Sequence, residues 1–204
     1  MFPQVLSEDF GLCKKFEACF QVSENTVLVF KSNRKVPFTA IAIVNEELNR
    51  QEKRGIIKKV EYSMWATPMV CIKKKTNKIS LCVDFSTGFE HHPLPTPEDI
   101  FTKLNGGKIF TKLGLSDAYS KIKVNDKCSK YLTINTHRGL YRYTQLPFGL
   151  KVAPVIFQQI MDTMLSDCEF TISYLDDILI KSNSCEQYVE HIKQLCSRKL
   201  KPRW

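Results

Sequence analysis

The strongest structural constraint in this sequence lies in residues 171–181, TISYLDDILIK. Apolar and small polar residues alternate before the paired acids, and Ile178 and Ile180 continue the two-residue period after them. A two-residue period on both sides of a short segment with paired acids predicts two antiparallel strands joined by a tight turn. We therefore expect a β-hairpin with Asp176 and Asp177 at or next to its tip.

Two adjacent carboxylates at one turn call for a compensating charge. Like charges repel, and a partly buried carboxylate loses hydration, so a fold that holds both acids in place usually supplies a cation. Mg²⁺ is the natural candidate, because it prefers hard oxygen ligands, retains several waters and completes its octahedron with substrate phosphates. The alternative is a solvated turn without a ligand, since Asp is a common turn residue.

Composition narrows the class of protein. The chain has 204 residues, of which 43% are hydrophobic, enough for the core of one domain or of two interleaved subdomains. We find no apolar run of the roughly 20 residues that a membrane-spanning helix needs and no signal-peptide pattern, so we expect an intracellular protein, cytoplasmic or nuclear. A formal net charge of +9 favours a polyanionic partner.

The eight cysteines are scattered, without a C-x-x-C pair or clustered histidines. This pattern argues against a zinc site and a disulfide framework and favours free thiols in a reducing compartment. His91 and His92 would point apart in an extended segment, so we interpret them as loop residues rather than metal ligands.

Hydrophobic periodicity predicts several further elements. A helix over residues 37–52 would bury Ile41, Val44 and Leu48 and stop near Gly55. Two strands, residues 68–73 and 79–85, flank a polar turn whose basic residues are Lys73, Lys74, Lys75 and Lys78. These lysines form either a solvated face or a phosphate-binding tip.

Two later helices carry clearer signals. Thr96, Pro97 and Asp99 form a helix start, and the expected buried stripe consists of Ile100, Phe101 and Leu104. A helix from residue 154 has an apolar stripe at helical spacing, made of Phe157, Ile160, Met161, Met164 and Leu165. This helix is expected to pack beneath the hairpin, with Gln158 facing a template strand or solvent.

Several motifs together resemble one family. They are YLDD (residues 174–177), LPFGLKVAPVIFQQIMD (146–162), KYLTINTHRGLYRYT (130–144), WATPMV (65–70) and LCVDF (81–85). In this order they are similar to the reverse transcriptase domain of gypsy-type long-terminal-repeat retrotransposon Pol polyproteins. The resemblance covers nearly the whole chain.

The resemblance implies an α+β fold of fingers and palm, with an antiparallel palm sheet backed by helices. Residues 1–36 would be an N-terminal lead-in, residues 37–93 and 122–152 the fingers, and residues 94–121 and 153–184 the palm. Residues 185–204 would be the truncated start of a thumb. A further helix is expected over residues 186–195.

The family is an RNA-directed DNA polymerase, so the resemblance also implies site roles. Asp176 and Asp177 would be catalytic residues and ligands of two Mg²⁺ ions, with an RNA or DNA template-primer and deoxynucleoside triphosphates as partners. The implied nucleotide-binding residues are Lys73, Lys74, Lys75, Tyr119 and Phe148. The implied nucleic-acid-binding residues are Gln158, Tyr174 and Leu175. For Tyr119, a core position is compatible with contact to the incoming sugar.

Two positions depart from the family pattern. Gly114 occupies the place of the first catalytic Asp, and Ser80 that of an Arg. Glycine offers no oxygen to bridge two metal ions, and we expect Asp117 to face away and not to replace the missing ligand. The sequence therefore predicts a degenerate active site with impaired catalysis. The alternatives are a non-catalytic nucleic-acid-binding remnant and a relic without selected function.

Overall fold

The structure, a computed structural model, describes residues 11–22, 29–73, 79–83, 85 and 94–200. The fold is α+β. Its strands are β1 (Glu17–Ala18), β2 (Ile57–Val60), β3 (Thr67–Lys73), β4 (Ile79–Val83), β5 (Ile109–Gly114), β6 (Lys123–Val124), β7 (Thr133–Thr136), β8 (Gly139–Tyr143), β9 (Thr171–Tyr174) and β10 (Asp177–Ser182). Its α-helices are α1 (Ile41–Lys53), α2 (Pro97–Leu104), α3 (Asp126–Ser129), α4 (Ala153–Leu165) and α5 (Cys185–Gln194).

The chain divides into two compact units. One comprises the described residues of Met1–Phe16, His92–Lys121 and Pro154–Trp204, and we call it the hairpin unit. The other comprises those of Glu17–His91 and Ile122–Ala153, and we call it the five-stranded unit. Each unit is assembled from segments that are distant in sequence, so its core forms only when separate parts of the chain come together.

The hairpin unit is built on a three-stranded antiparallel sheet with strand order β5-β10-β9. Ile178 and Ile180 on the central strand are almost completely buried, as the two-residue period predicted. The predicted stripe of α4 is buried as well, with Phe157, Met161 and Met164 fully inaccessible. Hydrogen bonds from α4 to β9 hold this helix against the sheet.

Helix α2 begins as its sequence predicts but presents a different face. The Thr96 side chain accepts a hydrogen bond from the Asp99 backbone N–H, the Asp99 carboxylate accepts one from the Thr96 N–H, and Pro97 is the first helical residue. The predicted buried stripe is wrong, since Phe101 is 72% exposed and none of the helix residues is fully buried. A capping box specifies where a helix starts, whereas the covered face depends on neighbouring elements.

The five-stranded unit contains a sheet with strand order β2-β8-β7-β3-β4. Strands β3 and β7 are parallel, and the other neighbours are antiparallel. Helix α1 buries Val44 and Leu48 as predicted, whereas Ile41 is only partly buried, and the helix ends before Gly55, which has a positive φ of 70°. The tip of the β7-β8 hairpin contacts this helix, because Arg138 donates a 2.6 Å hydrogen bond to Asn49.

The loop that leads into α4 requires a glycine at position 149. Gly149 has a positive φ of 91°, and a Cβ there would lie 2.2 Å from the Val83 carbonyl oxygen. Any side chain would therefore push the loop away from β4.

Within the described parts of the chain, no helix is long and apolar enough to cross a membrane.

Candidate active site at the hairpin turn

The predicted hairpin is present, and its turn has only two residues. Strand β9 ends at Tyr174 and β10 begins at Asp177, so Leu175 and Asp176 form the turn itself. Leu175 has a positive φ of 53°, a conformation that is costly for a residue with a Cβ and suits a tight hairpin connection. The Leu115 N–H donates a 2.8 Å hydrogen bond to the Asp176 carbonyl, which joins the turn to the end of β5.

Three positions form one row across the sheet. Asp177 pairs with Tyr174 on one side and with Gly114 on the other. Side chains of directly paired residues lie on the same face of an antiparallel sheet, so this face carries the Asp177 carboxylate beside the position without a side chain. Asp177, a predicted catalytic acid, is thus paired with Gly114, the position at which the family pattern has an Asp.

Gly114 leaves room for a larger residue. It lies in an extended strand, and a Cβ built on it would lie 3.4 Å from Asp177 Oδ1, an ordinary van der Waals distance. Apart from the chain neighbours of Gly114, no other described heavy atom lies within 4 Å of that Cβ. The backbone at position 114 is therefore compatible with an aspartate, whose carboxylate would stand beside that of Asp177.

Asp176 is held in a partly buried environment. The Tyr119 hydroxyl donates a hydrogen bond to its carboxylate, while Asp176 Oδ1 is buried with no hydrogen-bond partner among the described residues. Burial raises the pKa of Asp176, the Tyr119 hydrogen bond opposes this shift, and the charge of Asp177 adds to it. A buried oxygen without a partner is a feature that a cation would satisfy.

Tyr119 combines a core position with contact to the site. It is 8% exposed, and its ring meets Phe157 edge to face at a centroid distance of 5.2 Å. Burial and the charge of Asp176 both raise the pKa of Tyr119, so its hydroxyl stays protonated and donates. The core interpretation of Tyr119 is confirmed, and its contact with a sugar stays a prediction.

Asp177 has a cationic partner that the sequence analysis missed. Lys112 Nζ lies 2.8 Å from Asp177 Oδ2. Lys112 is two residues before Gly114 on β5, so it lies on the same face and diagonally across from Asp177. The two-residue spacing from Gly114 was the available signal, but only the strand register shows which acid the lysine meets.

Gln158 is an internal residue rather than a surface one. It is 4% exposed, its Oε1 accepts a 3.1 Å hydrogen bond from the Leu175 N–H, and its Nε2 donates to Ser173 and Asp162. The solvated side chain considered from the sequence is wrong. The amide expected to meet a template strand is instead hydrogen-bonded to Ser173 before the turn and to Leu175 within it, because α4 directs it towards β9.

The other predicted site residues lie elsewhere or outside the described residues. Phe148 belongs to the five-stranded unit and is 43% exposed, and Lys73 is the last residue of β3. Lys74, Lys75, His91 and His92 lie outside the described residues, and Ser80 lies in β4 opposite Ile72. Asp117 follows β5 with a positive φ of 50°. Tyr174 and Leu175 are partly exposed at the turn.

The donor set can be compared with what a divalent cation needs. Mg²⁺ is commonly held by one or two carboxylates together with waters and substrate phosphates, and Asp176 and Asp177 provide that set with one oxygen already unpartnered. Among the residues that the structure describes, no group of three or more His, Cys, Asp or Glu side chains is placed to hold a metal. The residues present fit one divalent cation.

Comparison with known proteins identifies the family. A model of the family "Reverse transcriptase (RNA-dependent DNA polymerase)" matches residues 51–202. An uncharacterized protein of Caenorhabditis elegans, K02A2.6, is 42% identical over 97% of this chain. The Tf2-3 transposon polyprotein of Schizosaccharomyces pombe is 32% identical over 81% of it. The chain spans 16% and 13% of the length of these two relatives.

Solved structures agree on the fold. The crystal structure of the prototype foamy virus protease-reverse transcriptase superposes with a TM-score of 0.80, covering 91% of this chain and 26% of that one at 15% identity. A foamy viral protease-reverse transcriptase in complex with double-stranded DNA superposes with a TM-score of 0.78 over 91% of this chain and 33% of that one, at 16% identity. The predicted α+β, reverse-transcriptase-like fold is thereby confirmed, and the chain belongs to the reverse transcriptase family.

Proposed function

We propose that this chain is the reverse transcriptase domain of a gypsy-type long-terminal-repeat retrotransposon polyprotein and that its polymerase chemistry is impaired. The observation that carries the proposal is the row of Tyr174, Asp177 and Gly114 across the sheet. Two acids remain at the turn, and the neighbouring position that would complete the site has no side chain. The hairpin unit corresponds to a palm and the five-stranded unit to fingers.

In the ancestral reaction, the primer 3′ hydroxyl attacks the α-phosphate of a deoxynucleoside triphosphate and pyrophosphate leaves. Reverse transcriptases use divalent metal ions, and in a site that keeps all of its acids two Mg²⁺ ions would activate the attacking oxygen and stabilise the leaving group. Asp176 and Asp177 are the residues that would hold such an ion. Tyr119 orients the Asp176 carboxylate by its hydrogen bond. Gly114 has no side chain and therefore adds neither charge nor a ligand atom to the carboxylates of Asp176 and Asp177.

The partners follow from the charge and the family. The formal net charge of +9 favours a nucleic-acid template-primer, and a foamy viral relative was solved in complex with double-stranded DNA. We assign Lys73, Lys74 and Lys75 to the nucleotide or template phosphates, and Tyr119 and Phe148 to the incoming nucleotide. Tyr174 and Leu175, at the turn, are assigned to nucleic acid.

Restoring the missing carboxylate tests this proposal. We expect the unmodified chain to extend a primer-template at background level and Gly114→Asp to raise extension at least about tenfold, because removal of a catalytic carboxylate typically costs a factor of this size or more. Extension with Mg²⁺ and with Mn²⁺ would be followed by gel, with Gly114→Asn as the control that restores size without charge. Efficient copying by the unmodified chain would contradict impairment.

A second candidate is a nucleic-acid-binding protein without catalysis. The ion pair between Lys112 and Asp177 favours it, since one of the two acids already has a cationic partner within the chain. If Gly114→Asp and the further change Ser80→Arg both leave extension at background while primer-template binding is retained, this second function is the better description.

A further inference from the structure

The Asp177 carboxylate is shared between two possible cations. Its Oδ2 atom lies 2.8 Å from Lys112 Nζ, and its Oδ1 atom faces the space above Gly114. The same carboxylate is one of the two that we propose as ligands of a divalent ion. Lys112 and that ion therefore compete for one group.

The register between β5 and β10 brings Lys112 and Asp177 into contact. Residues 112 and 114 lie on the same face of β5, and Asp177 pairs directly with residue 114. Lys112 thus reaches Asp177 along a diagonal between the paired strands β5 and β10. An aspartate at this position would place a second carboxylate within reach of the same ammonium group.

The ion pair between Lys112 and Asp177 is weak enough that a divalent cation can compete with it, so it does not block the site permanently. The side chain of Lys112 is 66% exposed and that of Asp177 is 30% exposed. An ion pair of this exposure is weak by itself and is screened by salt, and the lysine side chain can swing into solvent. A divalent cation that approaches Asp177 nevertheless meets a positive charge that must first be displaced or tolerated.

We propose that Lys112 is a counter-ion for Asp177 that lowers the affinity of the hairpin turn for divalent cations. This inference rests on the proposed function, since it takes Asp176 and Asp177 as the cation site. In a site that keeps all of its acids, the same lysine has more than one carboxylate to pair with. In this chain it neutralises one of the two that are left.

Binding of Mn²⁺ to the whole chain tests the inference without recourse to polymerase activity. The free Mn²⁺ signal in electron paramagnetic resonance would be followed during titration of the unmodified protein, Lys112→Met, Lys112→Arg and the matched control Lys193→Met. Lys193 is an exposed lysine on α5, which follows the opposite end of β10. Folding of each variant would be checked by circular dichroism.

We expect Lys112→Met to tighten Mn²⁺ binding about three- to tenfold, the effect of removing one partly screened unit charge next to the ion. Lys112→Arg retains the charge and keeps the weaker binding, and Lys193→Met leaves it unchanged. In the Asp177→Asn background, the effect of Lys112→Met becomes smaller, because the lysine and the ion no longer compete for that carboxylate and only the repulsion between their charges is left.

Two results would overturn the inference, and only the second would also overturn the proposed cation site. Measurable Mn²⁺ binding that is equal in the unmodified protein and in Lys112→Met removes the role of Lys112 but leaves the cation site intact. Absence of binding in the unmodified protein, Lys112→Met and Gly114→Asp alike removes both the inference and the proposed cation site.

Discussion

Asp176 and Asp177 are neighbours in sequence but have different surroundings. Asp176 belongs to the turn, accepts a hydrogen bond from Tyr119 and has one buried oxygen without a partner within the described structure. Asp177 belongs to the strand and pairs with Lys112. Burial therefore raises the pKa of Asp176, whereas the charge of Asp177 is balanced by a neighbouring ammonium group. The two carboxylates are therefore stabilised in different ways, Asp176 by a hydrogen bond and Asp177 by an ion pair.

The raised pKa of Asp176 predicts that Asp176→Asn stabilises the protein near neutral pH. A carboxyl group whose folded-state pKa lies above its ordinary value of 3.8 costs stability when ionised. This cost is full above the folded-state pKa and disappears as pH falls through that value towards 3.8. We expect the gain to be largest at about pH 7 and to vanish towards about pH 4, as measured by urea unfolding.

Asp99 provides a control of opposite sign. Hydrogen bonds from Thr96 lower the pKa of Asp99, so its contribution to stability is present above its ordinary pKa and is lost as pH falls through the folded-state value. Asp99→Asn is expected to destabilise the protein at neutral pH and to lose this effect in acid. Destabilisation by Asp176→Asn at pH 7 would contradict the assigned cost of burial.

At the element scale, helix α4 and the hairpin form one hydrogen-bonded assembly. Gln158 bonds to Ser173 before the turn and to Leu175 within it, and the Ser173 hydroxyl donates a 2.7 Å hydrogen bond to Asp162, one turn further along the helix. Leu175 lies in the turn, outside the paired strand residues, and Gln158 supplies the acceptor that its N–H needs. The helix thereby holds the turn that carries Asp176.

Replacing this amide tests the assembly. Gln158→Leu keeps a similar volume but removes the partners of the Leu175 N–H and of the Ser173 carbonyl, and we expect it to cost about 2 to 4 kcal/mol of unfolding free energy. Hydrogen exchange at the Leu175 amide is expected to accelerate. The matched control is Gln159→Leu, because Gln159 is exposed on the same helix and its substitution should change stability by no more than about 0.5 kcal/mol.

At the scale of the whole molecule, the formal net charge of +9 and the proposed function together predict a nucleic-acid partner. Binding that is driven by phosphate neutralisation releases counterions, so affinity falls as salt increases. We therefore expect a primer-template to bind the whole chain in a strongly salt-dependent manner.

The basic run at residues 73–75 is expected to contribute part of this salt dependence. Changing its three lysines to Glu should weaken primer-template binding and make the dependence of log affinity on log salt shallower, by about one unit for each phosphate that the protein no longer neutralises. The control reverses the same number of charges at Lys14, Lys15 and Lys193. Equal weakening in both variants, measured by fluorescence anisotropy, would show that only net charge matters.

Local sequence alone was sufficient for several elements of this protein. The two-residue period around the acids predicted the hairpin, Thr96 and Asp99 predicted the start of α2, and the apolar stripe predicted the buried face of α4. These features depend on interactions between residues close in sequence, so periodicity and capping rules describe them. Gly114 was also singled out from a local motif, and its assignment as the position of a missing catalytic Asp stays a prediction.

The contacts that shape the candidate site were decided by the tertiary structure. Lys112 meets Asp177 only because β5 and β10 pair in one register, and a shift by one residue would turn the lysine to the other face. Gln158 is buried because α4 turns that side towards β9, and Phe101 is exposed because its side of α2 remains uncovered. Strand register and helix rotation arise from packing between distant segments, which periodicity along the chain does not specify.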